Sequence, residues 1–239
     1  MKSIIYGPVS SWRLGRSLGI DLFSSRGKTC SFDCTYCEWG ATVHPLTERK
    51  EFVTLAELKK ELETAKGAPA DYATFAGGGE PTLASNLGQA IEIVRSTLKL
   101  PVAVITNSSL MPREDVRREL ASADLVMAKI DAPSEEIFQK VNRPCKGYTL
   151  AEIIQGIKRF RKEYKGSLAL QMMFVEANKG CAEEMAKIAG ELSPDEVQIN
   201  TPLRPCAVKP LSPQEIAAIR DKFSGLKKVV TVYEAGKPT

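Results

Sequence analysis

The chain alternates short apolar runs with longer stretches of helical periodicity, and this alternation is the feature that most limits its fold. Six runs have the length and composition of single strands: Ser17 to Phe23, Asp71 to Ala76, Val102 to Thr106, Leu125 to Ile130, Leu168 to Val175 and Glu196 to Asn200. Strands that are separated by helices usually pair in parallel. The pattern predicts an α/β fold, either an incomplete βα barrel or an open doubly wound sheet.

The stretches between these runs carry helix signals. Two of them place their apolar residues on one face, as a core-facing helix does: Leu87, Ala90, Ile91, Val94 and Leu98 in one, and Leu150, Ile153, Ile154, Ile157 and Phe160 in the other. Three helix starts have a hydroxyl followed three residues later by a glutamate, which caps the first turn: Thr54 with Glu57, Thr149 with Glu152 and Ser212 with Glu215. A last apolar run, Val229 to Tyr233, predicts an edge strand.

The 239 residues, 43% of them apolar and 26% charged, suit one domain with a sizeable core. We expect this single domain to span 1–239, with its core at about 17–205 and a C-terminal extension at 206–239. There is no run of about 18 apolar residues, and Gly, Pro and Arg interrupt the first residues, so we expect a cytoplasmic protein without a membrane partner. The net charge of +4 is spread along the chain and permits nucleic-acid binding without indicating it.

Three of the six cysteines, Cys30, Cys34 and Cys37, lie within eight residues directly after the first predicted strand. A loop with these spacings can wrap one [4Fe-4S] cluster, and three protein ligands leave one iron open for a cofactor or substrate. A zinc site would need a fourth ligand nearby, and the only histidine, His44, lies seven residues away. A thioredoxin-like pair of Cys34 and Cys37 would leave Cys30 without a role. A catalytic cluster is the leading interpretation, with zinc or redox cysteines as alternatives.

The spacing Cys-x3-Cys-x2-Cys, with the aromatic Tyr36 before the third cysteine, resembles the signature of radical S-adenosylmethionine (radical SAM) enzymes. The resemblance implies a partial (βα)6 TIM-like barrel and a [4Fe-4S] cluster held by the three thiolates. It also implies that S-adenosylmethionine chelates the open iron and is cleaved reductively to a 5'-deoxyadenosyl radical. The electron would come from a low-potential donor of ferredoxin or flavodoxin type.

Segments at the ends of later strands extend this resemblance. The glycines after the second strand resemble the family motif whose backbone binds the amino group of the cofactor, and glycine permits that close approach. Polar residues at the ends of the third and fourth strands stand where the family contacts the ribose and methionine moieties. The cofactor-binding residues expected from the resemblance are Tyr36, Gly77, Gly78, Gly79, Glu80, Asn107, Lys129 and Asp131.

Three segments resemble a narrower subgroup that is related to archaeal wyosine-forming enzymes, which act on a guanine in tRNA: Tyr6 to Asp21, Val141 to Pro144 and Asn200 to Pro205. Those tRNA enzymes bind a second cluster through cysteines upstream of the main motif, and this chain has no cysteine before Cys30. A tRNA substrate is therefore an alternative rather than the leading hypothesis.

The leading hypothesis is an oxidoreductase or transferase that abstracts hydrogen from an unidentified small molecule, peptide or RNA base. A non-catalytic iron-sulfur scaffold or electron carrier is a second hypothesis, but it would not need the glycine loop and Glu80 beside the cluster. An RNA-binding module is a third. It would call for aromatic residues interleaved with basic ones, and only 7% of the residues are aromatic.

The remaining cysteines, Cys145, Cys181 and Cys206, each follow a later strand and fall on predicted loops. In a parallel barrel the loops after the strands share one face. This placement predicts a second metal site, for example an auxiliary [4Fe-4S] cluster. Three unrelated loop thiols are the alternative.

Overall fold

The computed structural model describes residues 3–23 and 27–234. Its strands are β1 (Ile5–Ser11), β2 (Gly15–Ile20), β3 (Lys28–Cys30), β4 (Thr42–Pro45), β5 (Tyr72–Phe75), β6 (Val102–Thr106), β7 (Leu125–Lys129), β8 (Ser167–Met173), β9 (Glu196–Asn200) and β10 (Val229–Thr231). Its helices are α1 (Leu55–Ala65), α2 (Leu87–Leu98), α3 (Glu114–Leu120), α4 (Glu135–Val141), α5 (Leu150–Glu163), α6 (Ala182–Leu192) and α7 (Pro213–Asp221). Short 3-10 helices span Pro81–Leu83 and Lys179–Cys181.

The main sheet has the strand order β1-β2-β5-β6-β7-β8-β9-β10. Strand β1 is antiparallel to β2, and the strands from β2 to β10 are parallel to their neighbours. The parallel strands follow one another in chain order, whereas a doubly wound sheet reverses its order at a switch point. Of the two architectures left open by the sequence, the structure therefore has the partial βα barrel.

The predicted strands are present, with differences at both ends of the sheet. The first of them, predicted at 17–23, is β2 at Gly15–Ile20, and its hairpin partner β1 was not predicted. Most of β1 is exposed or half-buried and it contains Gly7 and Pro8, so it lacks an apolar strand signal. The predicted edge strand is β10. The C-terminal extension therefore consists of helix α7 followed by strand β10, which pairs with β9 and extends the main sheet.

The sheet has two faces with different surroundings. One face packs against the helices, where residues of both predicted stripes are buried: Leu87, Ala90, Ile91, Val94, Leu150, Ile153, Ile157 and Phe160. We call the opposite side the inner face. Near the N-terminal ends of the strands it carries a second apolar cluster formed by Leu14, Ala103, Met127 and Ala169. The C-terminal ends of the parallel strands form the mouth of the barrel, which is the position expected for a ligand site.

All three helices begin at the predicted cap residues, and two of the three caps are complete capping boxes. Thr54 with Glu57 and Ser212 with Glu215 form complete capping boxes. At α5 the hydroxyl of Thr149 accepts the backbone N–H of Glu152, while the carboxylate of Glu152 accepts from the hydroxyl of Thr149 instead of from its backbone. Within the described part of the chain, no helix has the length and apolar character needed to cross a membrane.

Candidate active site

The cysteine loop lies at the mouth of the barrel, where β3 ends. Cys30 closes β3 and is 7% exposed, while Cys34 and Cys37 are half-buried. The chain from Cys34 to Cys37 is a turn in which the N–H of Cys37 donates to the carbonyl of Cys34 at 3.2 Å. No helix begins at Cys34, in contrast to a thioredoxin-type motif.

The three thiols all lie near enough to the amine of Lys28 to affect its pKa. Burial alone would lower the pKa of Lys28, but the nearby thiols of Cys37, Cys30 and Cys34 raise it overall. Burial, together with Glu80 and Cys34, raises the pKa of Cys30 to about 12. A bound cation would reverse this preference for the neutral thiol, because thiolates are the form that binds metal. The set of three thiols fits an iron-sulfur cluster with one iron left without a protein ligand.

The glycine loop after β5 packs directly against the cysteine loop. The N–H of Thr29 donates to the carbonyl of Gly78 at 2.9 Å, and the N–H of Glu80 donates to the carbonyl of Thr29 at 3.2 Å. In this parallel pairing the N–H and C=O of Gly79 point away from Thr29. A Cβ at Gly79 would lie 2.2 Å from the oxygen of Thr29, and Gly77 has a φ of +145° with its Cβ position 2.5 Å from Cγ of Asp21. Side chains are therefore excluded, and backbone groups remain for a ligand at the mouth.

Glu80 is buried, with 2% of its surface exposed, and its carboxylate accepts four hydrogen bonds. These come from the backbone N–H and hydroxyl of Thr82 at 3.1 and 2.7 Å, the hydroxyl of Thr106 at 2.6 Å and the N–H of Asn107 at 2.6 Å. Burial raises the pKa of Glu80, and the hydrogen bonds act in the opposite direction. The side chain thus joins the ends of β5 and β6, so its role in this structure is to position the loops around the cofactor site.

Asn107 connects the end of β6 to the cysteine loop. Its Nδ2 donates to Oγ of Ser31 at 2.9 Å and to Sγ of Cys30 at 3.5 Å, and its Oδ1 accepts the N–H of Ser109 at 2.9 Å. The predicted residue is therefore next to the predicted cluster ligand. Its place in binding S-adenosylmethionine stays a prediction.

Tyr36, Lys129 and Asp131 form one group beside the cysteines. The amine of Lys129 lies 4.5 Å from the centre of the Tyr36 ring, and the hydroxyl of Tyr36 donates to Asp131. Asp131 is 3% exposed and also accepts the N–H of Met173 at 2.8 Å. The group ties the cysteine loop to the ends of β7 and β8.

Asn142 belongs to the same group, although the sequence analysis gave it no role. Its Nδ2 donates to Oδ2 of Asp131 at 2.8 Å, to the hydroxyl of Tyr36 at 3.2 Å and to Sγ of Cys34 at 3.5 Å. Its position in the segment Val141 to Pro144, which carries the subgroup resemblance, was the available signal. A sulfur that accepts a hydrogen bond from a buried amide holds negative charge more readily.

The remaining cysteines occupy three different surroundings. Cys145 lies beside the cysteine loop, where its N–H donates to the carbonyl of Ser31 at 2.8 Å. Cys181 caps α6 and packs against the core under the helices, and Cys206 packs in a cluster with Tyr36 and Met173. Over residues 3–23 and 27–234, no group of three or more Cys, His, Asp or Glu side chains is placed to hold a single metal ion, and this includes Cys30, Cys34 and Cys37. The ligands of an iron-sulfur cluster bind different irons, so this finding does not decide for or against either cluster. The second cluster finds no support in these contacts and stays a prediction.

Comparison with known proteins places this chain in a family. The Radical SAM superfamily profile matches residues 24–189. A UPF0026 protein of Methanocaldococcus jannaschii is 41% identical over 224 residues, which are 91% of this chain and 69% of that protein. A UPF0026 protein of Synechocystis is 38% identical over 208 residues, which are 87% of this chain and 77% of that protein.

Among solved structures, Streptococcus suis SuiB bound to S-adenosylmethionine shares the fold with a TM-score of 0.66. It is 13% identical, and the match covers 91% of this chain and 52% of that one. The chain belongs to the radical SAM superfamily and to the UPF0026 family. It is accordingly a radical SAM enzyme whose cofactors are a [4Fe-4S] cluster and S-adenosylmethionine.

Proposed function

We propose that this enzyme abstracts a hydrogen atom from its substrate at the mouth of the barrel, with Cys30, Cys34 and Cys37 as the cluster ligands. When bound, the [4Fe-4S] cluster and S-adenosylmethionine supply a 5'-deoxyadenosyl radical. The observation that carries the proposal is the direct pairing of the three-cysteine loop with the glycine loop, in which the N–H and C=O of Gly79 point away from Thr29. An electron carrier does not need a cofactor-binding loop beside its cluster, because a fourth thiolate occupies the last iron.

The residues around the thiols hold the cysteine loop and the neighbouring strand ends in position. Glu80 and Asn107 hold the ends of β5 and β6 against the cysteine loop, and Asp131 with Asn142 does the same for the end of β7. Lys129 places a positive charge over Tyr36, at the side of the site where a carboxylate of the cofactor would be attracted. Gly79 provides the close backbone approach, because its N–H and C=O point away from Thr29. The N–H of Gly78 donates to Asp21 and its carbonyl accepts from Thr29, so Gly78 acts by shaping the loop.

The substrate is unidentified, and the finer alternatives stay proposals. A wyosine-type reaction on tRNA rests on the resemblance of three segments, while the relatives found are UPF0026 proteins. The site is equally compatible with hydrogen abstraction from a small molecule, a peptide or an RNA base. A low-potential donor of ferredoxin or flavodoxin type would supply the electron.

Cofactor cleavage tests the proposal directly. The protein is reconstituted anaerobically, reduced with dithionite and incubated with S-adenosylmethionine, and 5'-deoxyadenosine is measured. We expect product from the wild type and none from the Cys30→Ala, Cys34→Ala or Cys37→Ala variants. Cleavage by a variant that lacks all three thiols would refute the assignment.

Iron and sulfide analysis tests the second cluster. One [4Fe-4S] cluster gives ~4 irons per chain and two give ~8. The separate surroundings of Cys145, Cys181 and Cys206 lead us to expect the lower count. A value near the higher count that falls by half when all three are changed to Ala would instead establish an auxiliary cluster.

A further inference from the structure

The side chain of Tyr6 in β1 lies on the inner face of the sheet, at the mouth end of the hairpin. Tyr6 is paired in register with Gly19 of β2, so the two residues face the same side of the sheet. Ser17, two positions earlier on β2, bonds to Thr74 through their hydroxyl groups at 2.7 Å. The neighbour of Thr74, Phe75, packs with the helices, so both hydroxyl groups, and with them Gly19, point to the inner face. Tyr6 therefore covers part of the inner wall of the barrel.

The ring of Tyr6 lies flat against the backbone of Gly19. A Cβ atom at Gly19 would lie 2.1 Å from Cζ of Tyr6 and 2.3 and 2.5 Å from its two Cε atoms. Three nearly equal distances to adjoining ring atoms place that position above the ring plane rather than at the ring edge. A side chain at Gly19 would displace the ring, so this glycine is the seat of the tyrosine.

The hydroxyl of Tyr6 fixes the orientation of the ring. It donates to the carbonyl of Ala76 at 3.3 Å, directly before the glycine loop. Burial of the hydroxyl end raises the pKa of Tyr6 to about 12, and the charge of Asp21 acts in the same direction, so the ring stays neutral. The ring is thus held at two points, with one face on β2 and its hydroxyl end beside the glycine loop.

The second face of the ring is open. Tyr6 is 36% exposed, although β2 covers one face of its ring. The exposed surface therefore belongs to the opposite face and the edges of the ring, which border the mouth of the barrel. A neutral aromatic face that is fixed in place and open on one side can bind a second planar ring by offset stacking.

The buried amides on the inner face differ in this respect. Gln171 of β8 and Gln198 of β9 are paired in register, and their neighbours Leu170 and Ile199 pack with the helices. In the described part of the chain, Nε2 of Gln171 and Oε1 of Gln198 have no hydrogen-bond partner. These glutamines are only 4% and 1% exposed, whereas the ring of Tyr6 is directly available to a ligand.

We propose that Tyr6 is a stacking platform for a planar aromatic or heteroaromatic ring of the substrate. The platform adjoins the glycine loop, so a stacked ring lies next to the cofactor site. Because the ring of Tyr6 is already held in place, little conformational entropy is lost when the substrate binds. The proposal rests on the proposed function, because it names the substrate class for that site.

The position of Tyr6 favours the substrate over the adenine of the cofactor. The residues around the cofactor site lie along the cysteine loop and the ends of β5 to β8, where Gly79 is paired with Thr29. Tyr6 contacts the other end of the glycine loop, at Ala76, and belongs to β1, the edge strand of the sheet. A ring on this platform reaches the mouth from the open edge of the partial barrel.

Ligand-observed NMR tests the platform with benzamide as the probe and cyclohexanecarboxamide as its saturated counterpart. Both carry the same uncharged carboxamide, and they differ in the planarity of the ring. The protein is loaded with oxidised cluster and S-adenosylmethionine. Saturation transfer from the wild type to the ring protons should be about threefold greater for benzamide than for cyclohexanecarboxamide. Equal transfer to the two probes would overturn the proposal.

The Tyr6→Leu variant should lose this preference for benzamide, and Tyr6→Phe should keep it, because phenylalanine retains the ring. Tyr233→Leu is the matched control, since Tyr233 is 38% exposed and its hydroxyl donates to the carbonyl of Leu211 at 2.7 Å. The control should behave as the wild type. A preference that survives in Tyr6→Leu, or that is lost in Tyr6→Phe or in Tyr233→Leu, would overturn the proposal.

A second variant displaces the ring without removing it, in case Tyr6→Leu does not fold. Gly19→Ala should lower the preference for benzamide, because its Cβ takes the space of the ring. Gly180→Ala is its control, since a Cβ at Gly180 has no atom of the described residues within 4 Å. The melting temperature of each variant shows whether it is folded. Equal preferences in the two folded glycine variants would contradict the seating of Tyr6 on Gly19 and overturn the proposal.

The affinity for S-adenosylmethionine separates the substrate from the cofactor. In isothermal titration, Tyr6→Leu should bind the cofactor with a Kd within about twofold of the wild type, whereas loss of a base stack would weaken binding by about fivefold or more. A loss beyond twofold would assign the platform to the adenine and overturn the proposal, as would benzamide binding that disappears when S-adenosylmethionine is added. Because these experiments measure binding, their outcomes are independent of whether the enzyme cleaves its cofactor.

Discussion

The buried carboxylates at the mouth of the barrel and the buried glutamines of its interior differ in how fully they are hydrogen-bonded. At the mouth, the carboxylates of Glu80 and Asp131 accept hydrogen bonds from several elements at once. In the interior, Gln171 and Gln198 each retain an amide atom without a partner in the described chain, and at the mouth Oδ1 of Asn142 does so as well. The two regions are adjacent along the same strands, so the difference is not one of burial.

This contrast separates the two tasks of the site. Groups that hold ligands in place must be fixed before the ligand arrives, and a saturated network does this. Groups that recognise a ligand must keep their hydrogen-bonding capacity for it, at a cost in stability. The hydrogen bonds of Glu80 and Asp131 join several strand ends and make the mouth a fixed frame.

The largest effect on this comparison is expected from Glu80. Changing Glu80 to Ala leaves the four donors it accepts from without a partner in a buried place, which should reduce the free energy of unfolding by about 2–4 kcal/mol. Chemical denaturation measures this value. Glu63→Ala, which removes an exposed carboxylate paired with Lys66, is the control and should change stability by less than about 0.5 kcal/mol. Equal losses in the two variants would show that Glu80 is not part of a fixed frame.

A smaller effect is expected at Asn142. The Asn142→Leu variant loses the hydrogen bond to Sγ of Cys34. Without it the reduced cluster is less stabilised, so its midpoint potential should fall by roughly 20–60 mV. Redox titration measures the potential, and Asn86→Leu is the control, because Asn86 is equally buried but bonds to Val53 and Glu51. A similar shift in both variants would remove Asn142 from the frame around the cluster.

Much of the fold could be predicted from the sequence, because it depends on local patterns. Apolar runs identified the parallel strands of the main sheet, which are β2 and β5 to β10, but not β3 and β4. Capping pairs identified the starts of α1, α5 and α7. The choice between barrel and doubly wound sheet could not be made, since it depends on strand order, which no local pattern encodes. Strand β1 was missed because its sequence lacks a regular alternation of apolar and polar residues.

Site residues could be predicted from the sequence only where they belong to a recognisable motif. The cysteine and glycine loops were found in this way, whereas the only signal for Asn142 was its place in the segment Val141 to Pro144. Asn142 reaches Cys34 across 108 positions of sequence. Roles of this kind depend on tertiary placement. Glu80 shows the converse, because its motif was recognised but its hydrogen bonds make it a positioning residue.

The most direct test of the account is the electron paramagnetic resonance spectrum of the reduced cluster with and without S-adenosylmethionine. The account holds that three cysteines leave one iron open and that the cofactor occupies it. Adding S-adenosylmethionine should therefore change the g-values of the signal in the wild type. If a protein with a fully loaded cluster gave the same spectrum in both samples, that result would contradict an open iron. It would instead support the electron-carrier hypothesis.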